Sequence, residues 1–236
     1  MEKINIIKKN CPICGSKTGK AIIDISSKDF KTKIIECDKC SLIYMRPIIS
    51  FPGMYDEKYT ELLEIYEKRN EVRRKWFDNY LKKLDKKMSL KNKSALDIAC
   101  GECHLIDSAK AYGLKIVGNE LEKSVCESLK KKGYEIICGD ITKIKIKQKF
   151  DIIFMSQILE HLYEPNKFLQ SVKKLLKEDG KLIIMVPNEN NFFYRLNKFK
   201  LFRNIVLSKD RFQKFDYTNK ILFITPKSCD DFSYRR

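Results

Sequence analysis

The sequence lacks long apolar runs, and this absence limits where the protein can reside. No stretch approaches the roughly 20 consecutive apolar residues that a helix needs to cross a bilayer. The N-terminus, MEKINIIKKNCPICG, has neither the apolar core nor the small-residue cleavage site of a secretory signal. These absences predict a cytoplasmic protein with no transmembrane segment.

Acidic residues are also scarce: 31 Asp and Glu face 48 Lys and Arg, which gives a formal net charge of +17. One interpretation is an acidic partner such as RNA, a nucleotide-linked substrate, a phosphorylated glycan or a membrane surface. The other is a lysine-rich composition spread over solvated helix faces. The second is favoured because the lysines occur along the whole chain without one dense block.

Nine cysteines, an odd number in a chain without an export signal, argue against a disulfide framework. Two C-x-x-C pairs near the N-terminus have the spacing of a tetrahedral zinc site. The predicted ligands are Cys11, Cys14, Cys37 and Cys40. Four thiolates leave no open coordination position, so we expect a structural zinc ion in a ribbon module over residues 1–46. The other cysteines are expected to be separate reduced thiols: Cys100, Cys103, Cys126, Cys138 and Cys229.

Residues 47–93 are predicted to be a linker followed by one helix. Pro47, Pro52 and Gly53 supply turn chemistry. From about Glu61 to Lys87, apolar residues recur at helical spacing and predict a stripe that packs on the next domain. The stripe consists of Val72, Trp76, Phe77, Tyr80, Leu81 and Leu84.

From Ser94 onward, apolar strands alternate with amphipathic helices. The strands SALDIA, KIVGN, YEIIC, FDIIFMS and KLIIMV are near-continuous apolar runs, as expected when helices cover both sheet faces. The helix NKFLQSVKKLLKEDG is expected to precede the last strand. Right-handed crossovers then predict an α/β fold with a doubly wound, Rossmann-like parallel sheet over residues 94–236.

The loops at the carboxyl ends of these strands are where such a sheet binds its ligand. The first loop runs from Asp97 to Cys103 and opens a helix, so it can wrap a cofactor closely. Glu120 ends the second strand, where an acid accepts hydrogen bonds from ribose hydroxyls. Asp140 follows the third strand, where a carboxylate can bind an adenine amine. A nicotinamide dehydrogenase is disfavoured because G-x-G-x-x-G is absent.

In order and spacing, these motifs resemble class I S-adenosylmethionine-dependent methyltransferases, in particular a group with an N-terminal zinc module. The first loop, the acids at Glu120 and Asp140, and the stretch QILEHLYEP after the fourth strand match that family's pattern. KEDGKLIIMVPN matches its fifth strand, and FITPKS (residues 223–228) matches a later segment.

The resemblance implies S-adenosylmethionine as the cofactor, with these binding residues: Asp97, Ala99, Cys100, Gly101, Glu120, Leu121, Asp140, Ile141, Ser156 and Gln157. It also places Glu160 and His161 near the methyl acceptor, where a histidine of near-neutral pKa can act as a base. Relatives with the zinc module imply a small-molecule acceptor, a sugar or sugar nucleotide of a surface polysaccharide pathway.

The sequence departs from that family in two places. Ala99 and Cys103 stand where glycine is usual, and a left-handed backbone at Ala99 would cost about 1–2 kcal/mol and weaken cofactor binding. The chain also ends at Arg236, where relatives continue, so we expect the C-terminal strands to be missing and the sheet to keep five strands. Two alternatives stay open: an RNA methyltransferase, and a truncated, catalytically inactive binding module. The oligomeric state is not predicted.

Overall fold

The computed structural model describes residues 5–7, 10–26, 30–50, 70–186 and 222–223. The chain forms two compact units. The first comprises Met1–Asp56, Leu159–Asn166 and Val186–Arg236, and the second comprises Glu57–Ile158 and Lys167–Met185. The domain boundaries predicted after residues 46 and 93 stay predictions. Among the described helices, none has the length and apolar character needed to cross a membrane.

The described part of the first unit contains two antiparallel sheets. The bounds are β1 Asn5–Ile7, β2 Gly19–Ser26, β3 Lys31–Cys37, β4 Ile43–Arg46, β5 Ile48–Ser50 and β11 Leu222–Phe223. β1 pairs with β5, and the larger sheet has the order β11-β4-β3-β2. AIIDI lies within β2, and KTKIIEC forms β3. Side chains of β3 alternate, with Thr32 and Ile34 buried and Lys31 and Lys33 exposed, as expected for a sheet with one covered face.

A helix opens the described part of the second unit. α1 spans Asn70–Met88, while residues 61–69 of the predicted helix lie outside the described residues. The apolar stripe packs only in its C-terminal half, where Leu81 is fully buried. The prediction is wrong for Val72 and Trp76, which are 70% and 50% exposed. They lie in the first two turns of the helix, and Leu81 is the member of the stripe that joins the buried apolar cluster.

The second unit contains a five-stranded parallel sheet, as predicted. Its strands are β6 Ser94–Ile98, β7 Lys115–Glu120, β8 Ile136–Cys138, β9 Phe150–Ser156 and β10 Leu176–Met185. Their order is β10-β9-β6-β7-β8, and every neighbouring pair is parallel. The chain winds outward in both directions from the adjacent strands β6 and β9. This reversal point is where an open α/β sheet leaves a crevice for a ligand.

Helices connect these strands where the sequence predicts them, with one boundary error. α2 spans His104–Lys110, α3 Lys123–Lys131 and α4 Pro165–Lys173, and a 3-10 turn covers Leu159–His161. Gly113 and Gly133, at φ +65° and +86°, follow α2 and α3, where a left-handed glycine commonly ends a helix. The predicted helix through KLLKEDG is wrong at its end. It stops at Lys173, because Leu176 already pairs with Phe150 in the sheet.

The core of this unit forms between α1, α2 and the central strands. Its fully buried members include Leu81, Leu90, Ala95, Ile152 and Phe154. Burial of such side chains stabilises by about 1.5–3 kcal/mol each. The rigid sheet that results fixes the carboxyl ends of β6, β7 and β9, on which the candidate site is built.

One cysteine prediction is wrong. Cys126 on α3 and Cys138 at the end of β8 are joined by a disulfide, with Cα atoms 6.0 Å apart. The absence of an export signal led us to expect separate thiols, but the sequence could not show that a helix and a strand end bring these two together. Cys100 and Cys103 are free thiols, as predicted, and Cys229 lies outside the described residues.

Candidate functional site

The loop after β6 turns sharply by using left-handed backbone at three positions. Ala99, Gly101 and Cys103 have φ of +52°, +52° and +63°. Only the glycine adopts this conformation without steric cost. The Cys103 N–H donates to the Cys100 carbonyl at 2.9 Å, which closes the turn before α2 begins. The loop thus brings its backbone to the carboxyl edge of the sheet, and a Cβ placed on Gly101 would meet no atom within 4 Å.

Glu120 ends the neighbouring strand β7 and faces this loop. Its Oε2 accepts the Gly101 N–H at 3.2 Å, and its Oε1 accepts the Leu121 N–H at 2.8 Å. The carboxylate is only partly buried, so it keeps acceptor positions for a ligand. The structure therefore brings together the first loop and Glu120, as the sequence predicts. We call this site, together with the turn at Asp140, the nucleoside cradle.

Asp97 is more deeply buried than Glu120. It is 3% exposed in the centre of β6, opposite Gly118 on one side and Phe154 on the other. Burial, together with the nearby charge of Glu120, raises the pKa of Asp97 to about 8. The side chain therefore lies beneath the loop and not on its exposed surface, and a direct cofactor contact for it stays a prediction.

Two residues of β7 that sequence reasoning missed shape the cradle from below. A Cβ on Gly118 would lie 2.6 Å from Cys100 Sγ and 2.7 Å from Ile136 Cδ1, so a side chain here would force these neighbouring side chains to shift. Asn119 is buried and its Nδ2 donates to the carbonyls of Ile137 and Gly139 at 2.9 and 3.0 Å. A glycine inside a strand pattern indicates that another group approaches the backbone closely, so the sequence could have identified Gly118.

Asp140 opens a tight turn after β8. Its Oδ1 accepts the backbone N–H and the hydroxyl of Thr142 at 2.9 and 2.7 Å, and Lys143 Nζ lies 3.2 Å from Oδ2. The hydroxyl bond, ahead of the backbone bond and the lysine, lowers the pKa of Asp140. The carboxylate thus already stabilises its own turn, and the adenine role stays a prediction.

The remaining predicted cofactor residues line the same edge or follow it. Leu121 is 69% exposed beside Glu120, whereas Ile141 is buried in the turn that Asp140 opens. Ser156 ends β9, and the Gln157 N–H donates to the Met185 carbonyl at 2.8 Å with φ +58°. These positions agree with a ligand at the carboxyl edge, but contacts to one stay predictions.

The four N-terminal cysteines converge on one point in the first unit. Their Sγ atoms all lie within 4.8 Å of one another, and the pairs Cys11–Cys40 and Cys14–Cys37 are each 3.5 Å apart. Tetrahedral coordination at about 2.3 Å from zinc to each sulfur requires a similar separation. The thiols sit in an apolar cluster with Ile35, Leu42 and Tyr44. The donor set and its geometry therefore fit a zinc ion.

The two knuckles share one backbone design. The Gly15 N–H donates to the Cys11 carbonyl and the Ser41 N–H to the Cys37 carbonyl, both at 2.9 Å. The residues that follow each knuckle are left-handed, with φ +71° at Gly15 and +58° at Ser41. This geometry aims both sulfurs of each pair at the same point.

The thiols have unequal acidities without a metal. Burial raises the pKa of Cys11 to about 11. Burial also acts to raise the pKa of Cys37, but the backbone N–H groups of Cys40 and Lys39 outweigh it and bring the value to about 7. Four adjacent thiolates repel one another, so a divalent cation is what allows all four to ionise.

Comparison with known proteins matches part of the chain to one family. Residues 96–184 match the family described as "Methyltransferase domain". Over these residues the chain is similar to methyltransferase domains, and we call this part of the chain the methyltransferase domain. A ubiquinone biosynthesis O-methyltransferase of Coxiella burnetii is 29% identical over 117 residues, 47% of this chain and 50% of that protein. The Glaesserella parasuis enzyme of the same name is 34% identical over 124 residues, 48% of this chain and 52% of that one. The chain thus spans about half the length of these relatives.

The fold of the methyltransferase domain is also seen in a solved structure. An S-adenosylmethionine-dependent methyltransferase from Thermotoga maritima superposes with a TM-score of 0.56 at 20% identity, covering 77% of this chain and 79% of that one. At this identity the likeness concerns the fold alone. It supports the class I, Rossmann-like architecture predicted from the sequence.

The predicted catalytic pair follows β9 in the chain. Glu160 and His161 occupy the 3-10 turn Leu159–His161, and Glu160 is buried. This turn belongs to the first compact unit, together with the zinc knuckles. In that unit Asn166 Nδ2 donates to the Ile13 carbonyl within the first knuckle at 2.8 Å. A base role for His161 stays a prediction.

We expect Ala99→Gly to stabilise the methyltransferase domain by about 0.5–1 kcal/mol. The left-handed cost of about 1–2 kcal/mol disappears, and the greater entropy of unfolded glycine offsets only part of the gain. Ala99 is exposed, so no packing is lost. Urea unfolding provides the measurement. Ala111→Gly is the matched control, since Ala111 is exposed at φ −63° and should lose stability. Equal losses in both variants would contradict the backbone argument.

The raised pKa of Asp97 makes stability depend on pH. Its folded pKa of about 8 exceeds the usual value of 3.8, so the folded state holds a proton that the unfolded state has released. Stability should therefore fall as pH rises from about 4 to 8, by at most about 1.4 kcal/mol per unit. Asp97→Asn should flatten this slope in urea unfolding measured between pH 5 and 8. An unchanged slope in the variant would argue against the buried acid as its source.

Proposed function

We propose that the chain transfers a methyl group from S-adenosylmethionine to a small-molecule acceptor. The observation that carries this proposal is the position of Glu120 at the carboxyl edge of the methyltransferase sheet, hydrogen-bonded to the Gly101 N–H of the first loop. An acid at this point, beside an open glycine turn, suits a ribose that offers two hydroxyl donors. The sulfonium of the cofactor carries its own activation, so the protein mainly binds and orients.

The cradle residues divide this work between backbone and side chains. The left-handed turn at Gly101 leaves space above the loop for the cofactor. Glu120 accepts hydrogen bonds from the ribose hydroxyls, and the exposed side chain of Leu121 offers an apolar surface beside it. Gly118 and Asn119 hold the loops from below, as positioning residues that do not touch the ligand.

The acceptor we favour is a sugar or sugar nucleotide of a surface polysaccharide pathway. A nucleotide-linked sugar carries phosphate charge, which suits a chain of net charge +17. Glu160 and His161 are proposed to bind the acceptor hydroxyl and take its proton as it attacks the methyl group.

We further propose that the four N-terminal cysteines bind a structural zinc ion. Their complete thiolate set leaves no position for water or substrate, so the ion supports the fold and takes no part in methyl transfer.

Titration calorimetry with S-adenosylmethionine and S-adenosylhomocysteine tests the proposal directly. We expect one site per chain, with the product bound in the micromolar range. Absence of heat, together with an unchanged melting temperature at millimolar ligand, would refute the assignment and favour the inactive binding module. Transfer of a labelled methyl group to a panel of sugar nucleotides would then identify the acceptor class.

The net charge of +17 also motivates a second candidate, an RNA methyltransferase. RNA binding through phosphate contacts weakens steeply with salt, whereas binding of a single sugar nucleotide depends on salt far less. Affinity for a structured RNA measured between 50 and 200 mM salt would separate the two: steep salt dependence supports RNA, and no binding at low salt excludes it.

A further inference from the structure

Four cysteines of the methyltransferase domain gather in one apolar cluster beneath the cradle. Cys100, Cys103 and Cys126 are buried there beside Ile106, Leu129 and Ile136, and Cys138 packs against them partly exposed. Cys100 and Cys103 are thiols with sulfurs 3.8 Å apart, while Cys126 and Cys138 are bonded. The cluster therefore holds one oxidised and one reduced pair directly under the loops that would hold a nucleoside.

The bonded pair brackets Glu120 on two sides. Cys138 is the register partner of Glu120 in the parallel ladder between β7 and β8. Cys126 Sγ lies 3.4 Å from the Glu120 carbonyl oxygen. The same oxygen accepts the Gly139 N–H at 2.8 Å, and that residue immediately precedes Asp140. The bond thus ties α3 to the end of β8, next to Glu120 and to the turn that begins at Asp140.

We propose that the Cys126–Cys138 bond is a reversible redox switch that sets the affinity of the cradle for its nucleoside ligand. The inference rests on the proposed function, because it concerns the site assigned to S-adenosylmethionine. With the bond formed, Glu120 and the turn at Asp140 keep a fixed separation. With the bond broken, α3 and β8 are connected only through the chain between them, and the cradle becomes less preorganised.

The chemistry of the switch is thiol–disulfide exchange. A low-molecular-weight thiolate attacks the partly exposed Cys138 sulfur, forms a mixed disulfide and releases the Cys126 thiolate, which takes a proton. A second thiol resolves the mixed disulfide, so two thiols are oxidised to one small disulfide and both cysteines are reduced. The reverse reaction consumes a small disulfide and regenerates the bond.

Reduction also adds a hydrogen-bond donor at the critical carbonyl. The Cys126 sulfur carries no hydrogen in the disulfide, but as a thiol it directs one at the Glu120 carbonyl oxygen 3.4 Å away. This new donor and the Gly139 N–H then share the same acceptor oxygen. Cys100 and Cys103 are less suited to be the switch, because exposures of 9% and 0% shield both sulfurs from an external thiol.

The test compares S-adenosylhomocysteine affinity by titration calorimetry in the full chain, oxidised with a cyclic dithiane disulfide or reduced with a phosphine. We expect reduction to weaken binding by about tenfold, a usual size for coupling between two sites. Cys126→Ser and Cys138→Ser should both show the weaker affinity under either condition. Ser128→Ala, an exposed position on the same helix, should keep the full redox response.

Peptide mapping of blocked thiols and zinc content are measured on every sample, so that loss of the N-terminal metal is not mistaken for the switch. Equal affinities in the two states, or a redox response that persists in Cys126→Ser, would overturn the proposal. Ligand binding in neither state would refute the proposed function instead. In that case hydrogen exchange over residues 118–140 decides: faster exchange after reduction supports the bond as a clamp on the cradle, and unchanged exchange rejects it.

Discussion

Replacing Glu120 by glutamine is expected to weaken S-adenosylhomocysteine binding by about ten- to a hundredfold. The carboxylate already accepts the Gly101 and Leu121 N–H groups, and it is the acceptor we assign to the ribose hydroxyls. A glutamine amide offers one oxygen in place of two and no charge. Hydrogen bonds to a charged group contribute about 1.5–3 kcal/mol each, which corresponds to the expected loss.

Glu127→Gln is the matched control for this variant. Glu127 lies on α3, is exposed, and pairs only loosely with Lys123 at 3.9 Å, so its loss should leave affinity within about twofold of wild type. Urea unfolding of both variants checks that the fold persists. Wild-type affinity in Glu120→Gln, with the fold intact, would remove the central support for a nucleoside cradle at this edge.

Removing the metal is expected to unfold the N-terminal sheet while the methyltransferase sheet persists. Structural zinc supplies about 10–16 kcal/mol of apparent binding free energy in small modules, more than a few short strands supply by burial. The buried cluster around the cysteines contains only three other fully buried side chains, Ile35, Leu42 and Tyr44, within the part of the chain that the structure describes. Without the ion, its thiols would be left without their common partner.

The measurement is zinc content by mass spectrometry together with hydrogen exchange over residues 19–46, before and after chelation. We expect about one zinc per chain in the native protein and loss of exchange protection over these residues once it is removed. Cys37→Ser should lower zinc occupancy in the same way. Cys126→Ser, which leaves all four predicted ligands in place, should retain the metal. A zinc-free protein with full protection of this sheet would contradict the structural role.

Local patterns were sufficient to predict much of the methyltransferase domain. The strand at Ser94–Ile98 and the parallel arrangement of the sheet follow from apolar periodicity and from the handedness of crossovers. The end of α4 was missed because pairing of Leu176 with Phe150 competes with helix continuation, and such pairing cannot be read from local propensity. The exposure of Trp76 was missed for a similar reason, since periodicity identifies the apolar face of a helix but not how far the surface that packs against this face extends.

For the candidate site, the sequence predicted which residues lie at the strand ends but not the environment of each, and the reason is physical. Residue types at strand ends pointed to Asp97, Glu120 and Asp140, because a parallel sheet gathers its carboxyl ends on one edge. Their different environments were not predictable: one is buried with a raised pKa, one faces the loop, and one closes its own turn. Burial and hydrogen bonding depend on side chains contributed by distant segments.

The sequence by itself determined the alternation of elements, the four-cysteine spacing and the positions where the first loop lacks glycine. Each of these depends on residues close together in the chain. Only the tertiary structure decided that Ala99 and Cys103 take left-handed backbone, that a side chain at Gly118 would crowd Cys100 and Ile136, and that Cys126 meets Cys138. These features arise where separate elements pack against one another, because close packing fixes which atoms share a space and no local pattern records it.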